Sequence, residues 1–118
     1  MKTLFSGSLI LFVVSLILVW SCTKDDDKVC DVNNPSEELQ WLKEELEAYE
    51  DDVYSYYMQG EYKGSPVFYY QNCNPAINYD AIVKSCDGEG LGSYVFLESF
   101  ISNSKLIWKS EGNVCIIP

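Results

Sequence analysis

The sequence predicts an α+β domain: one N-terminal amphipathic helix packed on an antiparallel meander sheet of about five strands, stapled by disulfides. Three observations predict it. Apolar residues recur with a helical period only once, from Leu39 to Val53. Beyond Tyr54 the period shortens to 2, and short β-rich runs alternate with Gly, Asn and Pro. Four cysteines, Cys30, Cys73, Cys86 and Cys115, are spread through the same stretch. A helix followed by consecutive short strands segregates to one face of an antiparallel sheet.

Residues 1–21 stand apart from that domain. Lys2 precedes an uncharged run from Leu9 to Trp20, and Ser21 is small. A charged start, an apolar core and a small residue before a cut predict a cleaved export signal. Leu4 to Trp20 includes Ser6, Gly7, Ser8 and Ser15, and is shorter than the ~20 apolar residues of a membrane span. Val19-Trp20-Ser21-Cys22 resembles the lipobox of bacterial lipoproteins. That resemblance implies that Cys22 is lipidated on sulfur and becomes the mature N-terminus. Lys24-Asp25-Asp26-Asp27 resembles the acidic export signal that follows the lipidated cysteine in Bacteroidota lipoproteins. A diacylated cysteine anchors stably where a single acyl chain holds only marginally. The implied location is the outer membrane or cell surface, on the periplasmic face or the exterior.

Residues 22–33 read as an acidic tether, dominated by Lys, Asp and Asn without apolar periodicity. Residues 34–118 form the domain. Its helix begins at Asn34 as cap, with Pro35 at the first helical position and Glu37 spaced as in a capping box. Glu37 and Glu38 suit the positive end of the helix dipole. Leu39, Leu42, Leu46, Tyr49 and Val53 make one apolar stripe, with Trp41 at its edge. Glu38, Glu44, Glu45, Glu47 and Asp51 are expected on a solvated outer face.

The first two strands, from Tyr54 to Tyr62 and from Val67 to Tyr70, flank a Lys63-Gly64 turn, the mark of a β-hairpin. Pro66 starts the second, where a missing N–H matters least. Tyr79 to Ser85 is the third strand, Tyr94 to Leu97 the fourth and Leu106 to Lys109 the fifth; Val114 to Ile117 is extended. Asp87-Gly88-Glu89-Gly90 is a turn, because it lacks the alternating carboxylates and terminal glutamate of a calcium loop.

The four cysteines predict two disulfides, as an even number in a short exported chain does. Zinc fits poorly, since the chain holds no histidine and no C-x-x-C pair. The favoured pairing is Cys73–Cys86 with Cys30–Cys115, and Cys30–Cys86 remains open.

Composition excludes several functions. Loss of Lys2 with the signal turns the net charge from −10 to −11, and every basic residue is a lysine. Such a surface repels nucleic acid and anionic headgroups, and it lacks the bidentate arginine clamp for phosphate. Without histidine, Ser-His and Cys-His nucleophiles and His metal sites are impossible. The many acids permit a carboxylate pair by residue type, but they fall on tether, outer helix face and turns. The expectation is a non-enzymatic domain without cofactor.

Aromatic strands are the remaining candidate. Tyr54, Tyr56, Phe68 and Tyr70 are expected to fill the sheet's core. On the opposite face, Tyr57, Tyr69 and Trp108 are the candidate exposed platform for a protein or glycan partner.

Short motifs add a resemblance. Asn34-Pro35, Leu39-Gln40-Trp41-Leu42-Lys43, Tyr62-Lys63-Gly64, Val67-Phe68-Tyr69-Tyr70, Cys86-Asp87-Gly88 and Lys105-Leu106-Ile107-Trp108-Lys109 resemble an uncharacterised family of small Bacteroidota lipoproteins. The resemblance spans roughly residues 33–109 and implies no activity. The functional expectation is a lipid-anchored extracytoplasmic interaction domain. The alternatives are an inhibitor or accessory subunit of an exported enzyme, with Lys63-Gly64 as inserted turn, and a small glycan-binding module.

Overall fold

A computed structural model describes residues 28–117. The export signal, Cys22 and the tether as far as Asp27 lie outside the described residues. Within them stands a five-stranded antiparallel sheet with a few short helices and two disulfides.

The helical stretch is two pieces, α1 (Pro35–Glu38) and α2 (Gln40–Glu47). Leu39 breaks them with an extended backbone, φ −85° and ψ 112°. Pro35 opens α1, but no side chain of Asn34 caps it; Glu38, in place of Glu37, accepts from the Asn34 backbone N–H at 2.8 Å. Regular helix stops at Glu47, so Tyr49 and Val53 follow in turns. Leu42 and Leu46 are the buried residues of α2.

Strands β1 (Ser55–Tyr62) and β2 (Ser65–Asn72) pair along their whole length. Lys63 and Gly64 between them both take positive φ, 54° and 80°, as a two-residue type I′ hairpin requires. Strand β3 is Ile82–Lys84 and β4 is Gly90–Ser93. Tyr94–Leu97, expected as a strand, is a single helical turn, α3, continued by a 3-10 turn at Glu98–Phe100. Strand β5 (Ser102–Lys109) ends the sheet.

The order is β4-β3-β2-β1-β5, which corrects the simple meander. The chain from Tyr94 to Ile101 crosses one face of the sheet and delivers β5 to the free edge of β1. Each face therefore has its own core. Leu42 and Leu46 meet Tyr57 and Phe68 on one side. On the other, Met58, Val67, Tyr69 and Val83 lie under Tyr94, Leu97 and Ile101. Strand alternation assigns the sides, since Tyr57 pairs with Tyr70 and Met58 with Tyr69.

The disulfides are Cys30–Cys86 and Cys73–Cys115, with Cα separations of 5.6 and 5.9 Å. The expected Cys73–Cys86 and Cys30–Cys115 pairs do not form, and strand direction explains why. Lys84 pairs with Phe68; from that rung, Cys86 continues toward the hairpin tip and Cys73 toward the opposite end. The two are separated by about seven strand positions, roughly 23 Å, whereas a disulfide spans about 4.4–6.8 Å between Cα atoms. Cys73 instead lies beside Tyr54, whose carbonyl accepts its N–H at 3.1 Å, and Cys115 reaches the same carbonyl.

Candidate functional site

Trp108 sits on the edge strand β5, opposite Tyr57 of β1. A register shift between Tyr57 and Met58 inserts Ile107 as an extra residue. Ile107 and Trp108 consequently both join the core beneath α2, where regular pleating would separate them. The break at Leu39 lets α1 turn toward β5. Between these elements opens a cleft of about 290 Å³. Trp108 and the buried Leu46 line it, with Ser36, Lys43 and the carboxylates Glu37, Glu47 and Glu50. All three glutamates are exposed, while Trp108 is half-buried.

Tyr57 and Tyr69 do not share this surface. Tyr57 is fully buried under α2, where its hydroxyl donates to Glu45 Oε2 at 2.7 Å. Glu45 Oε1 accepts from Lys84 Nζ at 2.5 Å, and that ammonium lies 5.6 Å from the Trp41 ring centroid. Burial, then the Glu45 hydrogen bond, pushes the Tyr57 phenol above its ordinary range. Tyr69 is buried under the opposite cover, stacked on Tyr94 at 4.6 Å, and its hydroxyl donates to Ser104 Oγ at 2.8 Å. Burial raises its phenol as well. Tyr94 is pushed up to about 12, first by burial and then by Tyr69 and Glu98.

The platform of Tyr57, Tyr69 and Trp108 is thus corrected: the first two point to opposite faces, and each face is covered by its own segment. Of the three, Trp108 alone borders an open cleft.

Glu45 is a second correction. Expected in water, it is half-buried and ties α2 to both β1 and β3. The signal lay in its spacing: Glu45 follows Leu42 by three residues, on the stripe's own side. The cleft glutamates were missed because charges on a helix surface carry no mark distinguishing a rim from a solvated face.

The arrangement can attract a cation. Indole faces attract cations, and neighbouring carboxylates add Coulombic attraction. The four described cysteines are oxidised, and among the described residues no group of three Cys, Asp or Glu side chains is placed to hold a metal ion. Asp87 to Glu89 lie in a turn across which the Ser85 N–H donates to the Glu89 carbonyl at 2.9 Å, and Gly90 already opens β4. No protein-family model, curated protein or solved structure matches this chain.

Proposed function

We propose that the protein is a lipid-anchored, non-catalytic extracytoplasmic binding domain that seats a basic segment of a protein partner against Trp108. The observation that carries this reading is the cleft itself, an aromatic edge residue set among Glu37, Glu47 and Glu50. A lysine or arginine side chain on the indole face meets both the ring quadrupole and the acidic rim. The net charge of −11 after export processing favours the same kind of partner at long range. Anchoring rests on the lipobox-like Val19-Trp20-Ser21-Cys22 and the acidic run behind it. Two disulfides suit the oxidising compartment that such an anchor implies. In this reading the amphipathic stretch spanning α1 and α2 is the brace that holds the cleft's acidic wall against the sheet.

The test is capture from detergent-solubilised envelopes by the full-length lipoprotein, wild type against Trp108→Ala, with near-UV circular dichroism to establish that both are folded. The expected result is a salt-sensitive protein partner held by the wild type and lost by the variant. Equal capture by both, or binding to glycan arrays with no protein partner, overturns the reading. Capture of an exported enzyme whose activity changes in the complex assigns the accessory or inhibitor role.

A further inference from the structure

The face opposite α2 carries a different surface. Val95, Phe96 and Phe100 turn outward from the crossing segment and are 69%, 79% and 67% exposed. Their neighbours Tyr94, Leu97 and Ile101 face inward and seal the second core, so the outward trio contributes nothing to that packing. Leu91 extends the apolar character along the same face, lining a cleft with Tyr62 and Val67. Apolar side chains of this size, exposed in a group, mark a contact surface.

Charge and reach identify what it meets. Residues 35–52 hold eight acids against one lysine, whereas residues 90–109 hold Glu98 against Lys105 and Lys109. The α1–α2 stretch is therefore strongly acidic, and the stretch that carries the patch is close to neutral, with Asp80 and Glu61 hydrogen-bonded at its margins to Ser93 and Asn103. A second copy of so acidic a chain is repelled at long range, while zwitterionic headgroups are not a like charge. The Cys30–Cys86 disulfide fixes the end of the tether at the turn between β3 and β4. From that turn, β4 runs four residues, about 13 Å, to the patch. Val29 and Cys30 pack against the α2-side core, so the tether has to round the β4 edge. The eight residues from Cys22 to Cys30 span at most roughly 27 Å, enough to do so and bring an anchored bilayer to Phe96.

We propose that Val95, Phe96 and Phe100 rest in the headgroup region of the bilayer to which Cys22 is anchored, turning the acidic Trp108 cleft outward. This rests on the lipid-anchor part of the reading above. It adds an orientation: the lipid chains and the apolar trio make two points of contact, and the binding cleft faces away from the membrane.

The test uses the full-length, host-processed lipoprotein reconstituted into phosphatidylethanolamine–phosphatidylcholine vesicles. Phe96→Trp places an indole in the patch at a position exposed enough to accept it. Lipids brominated at shallow depth, ~5–10 Å into the interface, are expected to quench this added emission at least about twofold more than that of the parent's Trp41 and Trp108. Acylated protein whose added emission is not quenched overturns the proposal and leaves the anchor standing. A blue-shifted but unquenched indole together with a dimer in sedimentation assigns the patch to a second copy, which also overturns it. Mass spectrometry showing unmodified Cys22 overturns the anchor and the orientation together.

Discussion

Glu45 and Tyr57 join the helix to the centre of the sheet: the phenol donates to Glu45 Oε2 at 2.7 Å, leaving Oε1 for Lys84. Tyr57 is fully buried, so its hydroxyl has no water to turn to. Removing an acceptor strands a buried donor, which costs about 1–3 kcal/mol. Glu45→Leu is expected to destabilise by that amount in urea unfolding. Adding Tyr57→Phe should recover part of the loss, because the stranded hydroxyl goes with it. Strictly additive effects of the two substitutions would show that the pair is not coupled.

Tyrosine burial also sets the response to alkali. Tyr57, Tyr69 and Tyr94 all have phenols raised above the ordinary value of 10.0. Above that pH the unfolded chain loses phenolic protons that the folded chain retains. Stability is then complete below pH 10.0 and falls as pH rises past it. Tyr57→Phe is expected to flatten the decline most, since Tyr57 is the most deeply buried of the three. Thermal melts across the alkaline range check this, and a slope indifferent to the substitution would refute it.

What was legible in the sequence was local. The Lys63-Gly64 hairpin could be read because Gly64 accepts the positive φ of a tight turn and alternating strands flank it. Tyr94 to Leu97 was misread because tyrosine, valine and phenylalanine favour strands. Tertiary contact decides otherwise: Tyr94 and Leu97, three apart, both reach the sheet from a single helical turn. Two disulfides were legible from the cysteine count, and the Cys30–Cys86 alternative is the one that forms. The favoured pairing and the aromatic platform failed together, since both depend on which segment covers which face. Covering Tyr69 takes a stretch some 25 residues later in the chain, and no local pattern announces it.

Peptide mapping under non-reducing conditions is expected to return Cys30 linked to Cys86 and Cys73 linked to Cys115. The Cys30–Cys86 bridge closes a separation of 56 residues. Chain-entropy arguments assign such a loop about 4 kcal/mol. Cys30→Ser with Cys86→Ser should lower stability by roughly 2–4 kcal/mol and free the chain before α1. Recovery of a Cys73–Cys86 peptide would contradict the antiparallel direction of β2 and β3, and with it the sheet order.

Glycine substitutions separate crowding from backbone strain. A Cβ on Gly60 would lie 2.6 Å from Ile101 Cγ2 and 3.0 Å from Ser104 Oγ, so β1 has glycine where the crossing segment presses on it. Gly64 has nothing within 4 Å but a φ of +80°, a strain problem alone. Overpacking costs about 1–3 kcal/mol, and a left-handed backbone costs an ordinary residue roughly 1–2 kcal/mol. Gly88 combines both, with φ +83° and the Trp41 ring 2.9 Å away. Gly88→Ala is therefore expected to be the most damaging of the three and Gly64→Ala the least, in denaturant melts. Gly60→Ala should also speed hydrogen exchange at Tyr94 to Ile101, because relief of the clash must lift Ile101 from the sheet. Unchanged exchange there would mean that the crossing segment does not bear on β1.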